Sequence, residues 1–207
     1  MKALILVDIQ NDFLPNGALG VPNGDEIIPV VNNIQQHFQT IVATRDWHPM
    51  NHGSFASNHE NKEPGEYVVL HGQNQVLWPD HCVQGSPGAE LSSLLNQALI
   101  KYVVFKGTDP EIDSYSAFFD NGRLKKTELD SYLKRNEITS IYVAGLATDY
   151  CVYFSVKDGL SLGYDTYLIT DAVRGINLQP DDSEKAIKDM IECGAKLITS
   201  KEILEWK

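Results

Sequence analysis

One cysteine follows a predicted strand at the point where a helix begins, and this position favours thiol chemistry. Ile138–Ala144 is an apolar, β-branched run of strand length, and Cys151 comes shortly after it. Gly145 supplies the backbone freedom for a sharp turn, and Thr148 or Asp149 could cap the following helix. Free amides and the helix dipole would favour a thiolate there and could hold an oxyanion. A small buried hydrophobic residue remains the alternative interpretation, because most free cysteines are of that kind.

Ionisable side chains follow three further predicted strands. They are Asp8 after Lys2–Val7, Asp46 and His48 after Thr40–Thr44, and Lys106 after Tyr102–Phe105. Ligands of parallel sheets bind beyond the carboxyl ends of the strands, so we expect these groups near Cys151. Lys106 would stabilise a thiolate and keep Asp8 ionised, because opposite charges favour each other. Asp8 could take the thiol proton and later deliver it to a leaving amine. Taken singly, each residue is better explained as a cap, an ion-pair partner or a solvated loop residue, and only their joint placement at one edge favours chemistry.

A second group of residues has the composition of a metal site. Asp46 and His48 lie two residues apart, and on an extended chain their side chains point the same way. A carboxylate with imidazoles suits zinc, iron or manganese. A third ligand would have to come from His52 or His81. Loops also collect histidines without binding a metal, so the spacing alone leaves the question open.

Alternating strands and helices predict an α/β fold. We expect three α/β/α layers around a mostly parallel, six-stranded, Rossmann-like sheet. The predicted strands are Lys2–Val7, Thr40–Thr44, Tyr102–Phe105, Ile138–Ala144, Thr166–Ile169 and Ala195–Ile198. The predicted helices are Asp25–His37, Ala89–Leu99, Thr127–Arg135, a segment after Cys151, Asp182–Cys193 and a last one from Thr199. Residues 49–88 read as a long functional loop with one short strand at Tyr67–Leu70.

Composition limits the kinds of partner. A chain of 207 residues is long enough for one domain, which we expect over residues 1–207. The net charge of -11 argues against nucleic acid, and no apolar stretch reaches membrane-spanning length. The 3 cysteines show no disulfide spacing, and the apolar N-terminal run is too short for a signal peptide, which predicts a cytoplasmic protein. We expect a homo-oligomer, because these are common among enzymes of this size.

Five motifs together resemble the nicotinamidases of the isochorismatase-like hydrolase superfamily. They are Val7-Asp8-Ile9-Gln10-Asn11-Asp12-Phe13, Thr44-Arg45-Asp46-Trp47-His48-Pro49 with His52 to Ala56, Trp78-Pro79-Asp80-His81-Cys82-Val83-Gln84-Gly85, Phe105-Lys106-Gly107, and Gly145-Leu146-Ala147-Thr148-Asp149-Tyr150-Cys151-Val152. They occur in the family's order and extend over most of the chain. The Asp, Lys and Cys trio marks the superfamily, and the metal-ligand motif marks the narrower group.

The resemblance implies a role for each matching residue. Cys151 would be the nucleophile, Asp8 the acid and base, and Lys106 the cationic member. One divalent metal ion, zinc before iron or manganese, would be bound by Asp46, His48 and His81. His52 would lie beside the metal rather than bind it. The amides of Ala147 and Cys151 would hold the oxyanion, after a cis Leu146–Ala147 bond. The ring of the substrate would be enclosed by Phe13, Trp78, Tyr115 and Tyr150.

The implied reaction is hydrolysis of nicotinamide to nicotinate and ammonia through a thioester, in NAD salvage, with pyrazinamide as a further substrate. Ordinary core packing remains an alternative for each of the four aromatic residues. The rival enzymes are a metal-free amidase and a vinyl-ether hydrolase of the same superfamily, although the latter needs no thiol. A silent binding protein is a third possibility, and a thiol redox protein is disfavoured because no C-x-x-C motif occurs.

Overall fold

The computed structural model describes residues 1–206 of the chain. Its strands are β1 Lys2–Val7, β2 Thr40–Asp46, β3 Tyr67–Leu70, β4 Gln73–Val76, β5 Tyr102–Lys106, β6 Ser140–Leu146, β7 Asp165–Arg174 and β8 Lys196–Ile198. Its α-helices are α1 Ile27–Ile34, α2 Leu129–Arg135, α3 Tyr153–Ser161, α4 Asp182–Glu192 and α5 Ser200–Leu204. The six strands of the predicted sheet are all present, whereas β4 is an addition and the helix predicted between β2 and β5 is absent from the described residues.

Six of the strands form one sheet in the order β5-β2-β1-β6-β7-β8. Every pairing in this sheet is parallel, which goes beyond the expected mostly parallel arrangement. One face packs against α1 and α5, and the other face packs against α2, α3 and α4. The predicted three-layer α/β/α fold with a six-stranded sheet is therefore confirmed.

Strand β1 shows why the sequence folds in layers. Its residues Ala3 to Val7 are all buried, so the strand is apolar on both faces. Leu4 and Leu6 belong to the hydrophobic cluster beneath α1, whereas Ile5 and Val7 belong to the cluster beneath α3. Successive side chains of a strand point to opposite faces, and both faces here are covered by helices. Strand β1 therefore lies at the centre of the molecule.

The predicted helix Ala89–Leu99 is wrong. This segment contains only short 3-10 turns at Pro87–Ala89 and Gln97–Leu99. The side chain of Asn32 accepts from the Asn96 amide at 2.8 Å and donates to the Leu94 carbonyl at 2.8 Å. Side-chain amides that bond to the backbone in this way compete with helix formation. The apolar spacing of this segment suggests a helix, but it gives no sign of the contact with Asn32, which belongs to α1.

Residues 49–88 contain the antiparallel pair β3 and β4, of which only the first strand is predicted. Strand β4 begins with Gln73-Asn74-Gln75, which lacks the apolar alternation of a strand. Helix α1 is shorter than predicted, because 3-10 turns at Gly24–Glu26 and Gln35–His37 flank it. No helix among residues 1–206 combines the length and the apolar character needed to cross a bilayer.

Candidate active site

Lys106, the last residue of β5, lies at the centre of a buried cluster of polar side chains. Its Nζ atom lies 2.8 Å from Asp8 Oδ2 and 2.6 Å from Asp46 Oδ1. It also donates to the Ser114 carbonyl at 2.9 Å and lies 3.5 Å from Cys151 Sγ. Lys106 is 2% exposed and Cys151 is 6% exposed, so water is nearly absent around these charges. The thiol, the ammonium and both carboxylates therefore meet in one enclosed place.

The topology explains why these side chains converge. The four neighbouring strands β5, β2, β1 and β6 all end at the same edge of the sheet. Asp46 pairs directly with Lys106 at the ends of β2 and β5. Asp8 follows β1, and Cys151 follows β6 after a short turn. The positions predicted from strand ends are therefore the positions at which the structure brings these residues together.

The two oxygens of Asp8 have different surroundings. Oδ1 accepts a hydrogen bond from the Thr44 hydroxyl at 2.5 Å. Oδ2 lies 2.8 Å from the Lys106 ammonium. A carboxylate oxygen of Asp8 lies within 4.8 Å of the Cys151 sulfur. Asp8 is therefore placed to receive a proton from the thiol.

The charges of the cluster favour a neutral thiol in the resting site. Burial raises the pKa of Cys151 well above its usual value, although Lys106 acts in the opposite direction. Burial also raises the pKa of Asp8, against the effect of Lys106. The pKa of Asp46 is lowered, because Lys106 and His48 outweigh the effect of burial. One ammonium already faces two carboxylates, so the expected thiolate is disfavoured until a proton can move.

The turn that carries Cys151 differs from the predicted capped helix. Residues Thr148–Val152 form a π-helical turn without a side-chain cap, and α3 begins after it. The Asp149 carboxylate instead accepts from the amides of Ile176 at 3.0 Å and Asn177 at 2.7 Å. It therefore ties the nucleophile turn to the loop between β7 and α4.

The backbone before this turn has two special positions. Gly145 has a φ of +127°, and a Cβ atom there would lie 2.0 Å from the Val7 carbonyl oxygen. Only glycine allows β1 and β6 to approach in this way. The Leu146–Ala147 peptide bond is cis, as the resemblance implies. Ala147 lines the same cavity as Cys151, and the role of both amides toward an oxyanion stays a prediction.

Asp46, His48 and His81 form a buried group whose ligand atoms lie within 4.8 Å of one another. Asp46 Oδ2 lies 3.6 Å from His48 Nε2 and 4.0 Å from His81 Nε2. His48 Nδ1 lies 2.8 Å from the Gly107 carbonyl, and His81 Nδ1 lies 2.8 Å from the Pro79 carbonyl. These carbonyls hold the protons on Nδ1, so both Nε2 atoms present lone pairs toward Asp46.

These side chains fit a divalent cation. His48 Nε2 is buried and lacks a hydrogen-bond partner within the described part of the chain. Burial lowers the pKa of His81 to about 4, so its ring is neutral, as a metal ligand must be. Two imidazoles and one carboxylate are a common ligand set for such ions. The residues therefore support a divalent metal site.

His52 lies beside this group. Its ring centroid is 4.3 Å from that of His48, and its Nδ1 atom lies 2.7 Å from Ser54 Oγ. Burial lowers the pKa of His52 to about 4. His52, His48 and Asp113 also have ligand atoms within 4.8 Å of one another. Its predicted place next to the metal, rather than on it, stays a prediction.

A cavity of about 20 Å³ lies above Cys151 and is walled by side chains from several loops. Its walls include the four predicted aromatic residues Phe13, Trp78, Tyr115 and Tyr150. Trp78 Nε1 donates to the Tyr115 hydroxyl at 3.2 Å, and the ring of Tyr150 packs edge-on against Trp78 at 4.9 Å. Leu19 and Ile176 complete the wall. Sequence reasoning misses both of these residues, since single aliphatic residues in loops carry no signal.

Other missed residues support the cluster from behind. Thr44 and Ser114 hydrogen-bond Asp8 and Lys106, and Gln10 hydrogen-bonds the backbone of Asp46. Thr44 lies two residues before Asp46 on β2, so it faces the same side, which is a usable signal. Ser114 comes from a loop, and nothing in its sequence neighbourhood indicates this contact.

The parallel sheet, with a thiol, an ammonium and a carboxylate at its carboxyl edge, is typical of α/β cysteine hydrolases as a class. Comparison with known proteins defines the family more narrowly. Residues 2–202 match the model of the isochorismatase domain. The chain therefore belongs to the isochorismatase family.

Individual relatives cover nearly the whole chain. A nicotinamidase of Escherichia coli is 51% identical over 212 residues, which cover 100% of this chain and 97% of the relative. The structure of an Acinetobacter baumanii nicotinamidase and pyrazinamidase has a TM-score of 0.95 at 42% identity, covering 98% of this chain and 97% of that one. A Pyrococcus horikoshii pyrazinamidase in complex with zinc has a TM-score of 0.77 at 40% identity, covering 96% and 98%.

Proposed function

We propose that this protein is a nicotinamidase, an amidohydrolase that converts nicotinamide to nicotinate and ammonia. The observation that carries the proposal is the meeting of Cys151, Asp8 and Lys106 beside the group Asp46, His48 and His81. The near-complete match to nicotinamidases of other organisms supports the same substrate. The activity belongs to NAD salvage, and pyrazinamide is a second substrate.

Cys151 and Asp8 carry the first half of the reaction. As the sulfur attacks the carboxamide carbon, its proton passes to the Asp8 carboxylate, an oxygen of which lies within 4.8 Å of the sulfur. The amides of Ala147 and Cys151 hold the oxyanion of the tetrahedral intermediate. Asp8 then gives the proton to the leaving nitrogen, the C–N bond breaks, and ammonia leaves a thioester on Cys151.

Asp8 also carries the second half. It takes a proton from water, whose oxygen attacks the thioester carbon, and the C–S bond breaks to release nicotinic acid, which gives its carboxyl proton to the solvent and becomes nicotinate. The proton then returns to the sulfur, which restores the neutral thiol. Lys106 lies 2.8 Å from Asp8 and 3.5 Å from Cys151, so it adjoins both groups that exchange the proton. Its charge offsets whichever of these two groups is anionic.

Asp46, His48 and His81 would hold one divalent cation, for which we propose zinc before iron or manganese. When bound, the cation would supply a Lewis acid for the pyridine nitrogen of the substrate. Phe13, Trp78, Tyr115 and Tyr150 enclose the ring and exclude water from the amide. Orientation of the amide over the sulfur is the main contribution that we assign to this side of the pocket.

Several broader predictions belong to the same proposal. We propose one domain over residues 1–207, a homo-oligomeric assembly, a cytoplasmic location, and no nucleic-acid or membrane partner. The net charge of -11 supports the absence of nucleic-acid binding.

Ammonia release from nicotinamide by the Cys151→Ala variant tests the assignment. We expect a loss of at least about 10³-fold, because removal of a nucleophile removes the covalent route. Cys193→Ala is the matched control, since Cys193 is an exposed free cysteine outside the cluster. A Cys151→Ala protein that keeps nearly the full rate would show that the thiol is misassigned. A wild-type protein without activity on nicotinamide would overturn the substrate instead.

A further inference from the structure

The turn after β1, residues 8–13, contacts two of the proposed metal ligands, Asp46 and His81, or the backbone next to them. The proposed reaction gives no role to most of these contacts. We infer that this turn is the scaffold of the metal site, in which Gln10 and Asp12 are positioning residues for Asp46 and His81. The inference rests on the proposed metal site, although not on the identity of the substrate. It gives a role to Gln10 and Asp12, two residues of the Asp8-Ile9-Gln10-Asn11-Asp12-Phe13 motif that take no part in the proposed reaction.

The Gln10 side chain hydrogen-bonds both the amide and the carbonyl of Asp46. Its Oε1 atom accepts from the Asp46 amide at 2.8 Å, and its Nε2 atom donates to the Asp46 carbonyl at 2.8 Å. The second Nε2 hydrogen goes to the Ala89 carbonyl at 2.9 Å. Gln10 is fully buried. Its side-chain amide is therefore fixed at three points and has no freedom to turn.

The path of β1 explains why Asp46 needs this partner. The last paired residues of β1 and β2 are Leu6 and Ala43, so the ladder stops before Asp46. The chain turns away at Asp8, which has a φ of +49°. Buried amides and carbonyls without partners cost free energy, and the primary amide of Gln10 takes the place of the missing strand. In this way Gln10 satisfies the edge of β2 beyond the end of the β1 ladder and sets the position of the Asp46 carboxylate.

Asp12 acts on the second ligand through the neighbouring backbone. Its Oδ2 atom accepts from the Cys82 amide at 2.7 Å. Cys82 follows His81 directly and has a φ of +48°, an uncommon conformation for a residue with a side chain. A hydrogen bond to a charged acceptor is stronger than a neutral one, so it can hold the chain in this conformation. Asp12 thereby fixes the peptide unit that joins His81 to Cys82.

The next residue of the turn contacts His81 itself. The ring of Phe13 packs edge-on against the imidazole, with centroids 5.5 Å apart. Gln10 therefore fixes Asp46, and Asp12 and Phe13 fix His81 through its following peptide unit and its ring. Contacts of this kind around a metal site typically contribute 10- to 100-fold to metal affinity.

Zinc affinity of the metal-stripped protein, measured by competition with a chromophoric chelator, tests the inference without any enzymatic assay. We expect Gln10→Met, which keeps the size but loses every hydrogen bond, to raise the zinc Kd about 10- to 100-fold. Gln10→Glu keeps an acceptor for the Asp46 amide but has no donor for its carbonyl, so we expect a similar loss. Asn11→Ala is the matched control, because Asn11 lies in the same turn and hydrogen-bonds only Pro87 at an exposed site.

A second pair of variants separates positioning from loss of folding. Asp12→Asn keeps an oxygen that can accept from the Cys82 amide, whereas Asp12→Ala does not. We expect the zinc Kd to be lowest in the wild type, higher in Asp12→Asn and highest in Asp12→Ala. The absorption bands of the cobalt-loaded protein should differ from wild type in Gln10→Met and Asp12→Ala but not in Asn11→Ala, because they report the ligand geometry. These spectra are recorded on variants whose circular dichroism is that of the wild type.

Two results would overturn the inference. One is a zinc Kd for Gln10→Met and Asp12→Ala within about twofold of wild type, and the other is an equal loss in Asn11→Ala. If Gln10→Met does not fold, the comparison of Asp12→Asn with Asp12→Ala still decides the matter. A wild-type protein that binds no zinc or cobalt would instead overturn the metal site on which the inference rests.

Discussion

At the scale of single residues, the balance of charge around Lys106 controls the thiol. Despite burial, Asp46 and Asp8 raise the pKa of Lys106 well above its usual value, so the ammonium stays charged. Two carboxylates share this one cation, so little of its charge is left to stabilise a thiolate. Burial consequently keeps the proton on Cys151. Attack by the sulfur therefore has to be coupled to transfer of that proton to Asp8.

The rate at which iodoacetamide alkylates Cys151 reports the fraction of this residue that is present as thiolate. Because the pKa of Cys151 is raised well above 9.0, the thiolate fraction should still be increasing as the pH passes 9. We expect the alkylation rate to rise across this range without a plateau near pH 8. Lys106→Met should lower the rate at pH 8, since it removes the charge that opposes burial. The measurement is made in a Cys193→Ser background, with Cys151→Ala to subtract other sites. A plateau below pH 8 would contradict the neutral resting thiol.

At the scale of elements, the ends of strands were predictable and the loops that support them were not. Apolar runs placed Asp8, Asp46 and Lys106 correctly, because parallel strands bring their carboxyl ends together. The segment 89–99 was predicted wrongly, because the Asn32 side chain of α1 hydrogen-bonds its backbone and holds it in a non-helical conformation. Asp149 has the residue type and position of a helix cap, yet it binds a loop far along the chain. Contacts between distant segments leave no periodic signal in the sequence.

Gly107, at the end of β5, offers a test of how strand ends shape the metal site. Its φ is +63°, and a Cβ atom there would lie 2.3 Å from His48 Cε1. We expect Gly107→Ala to displace the His48 ring, lowering zinc affinity and nicotinamide turnover at least about 10-fold. Gly72→Ala is the matched control, since Gly72 has a φ of +77° with no atom within 4 Å.

Both glycine variants carry the same conformational cost. We expect Gly72→Ala to lose about 1 to 2 kcal/mol in free energy of unfolding, measured by urea denaturation of the metal-free proteins. Gly107→Ala should lose more, because its Cβ atom also displaces the buried His48 ring. Only Gly107→Ala should also change the zinc Kd. Equal zinc affinities in the two variants would mean that the His48 ring can move aside without consequence.

At the scale of the whole molecule, the layered fold and the chemistry of its edge were predictable, whereas the enclosure of the site was not. The order of the strands in the sheet depends on which strands pair with each other, and the sequence pattern does not specify these pairs. The pocket walls come from six separate segments that meet only in the folded chain. The motifs point to Phe13, Trp78, Tyr115 and Tyr150, but Leu19 and Ile176 become visible only in three dimensions.

Metal binding should stabilise the entire fold, because the ligands come from β2 and the loop before β5, which are far apart in sequence. At a free zinc concentration of 100 times Kd, we expect about 2.7 kcal/mol of stabilisation. For a protein of this size, this corresponds to a rise in Tm of roughly 5 to 10 °C. Differential scanning calorimetry with and without zinc measures the shift.

His48→Ala should abolish most of this shift. His71→Asn, at an exposed position in the β3–β4 turn, should leave it unchanged. A full shift in His48→Ala would place the bound zinc elsewhere on the molecule.

The cavity above Cys151 is bounded by side chains from several segments of the chain, and Phe13, Trp78, Tyr115 and Tyr150 make much of its wall aromatic. An acyl group on Cys151 would lie inside this enclosure. A bulky amine or alcohol would have to displace wall side chains to reach the acyl carbon, whereas water would not. The enclosure therefore favours hydrolysis of the acyl group over its transfer to a larger acceptor.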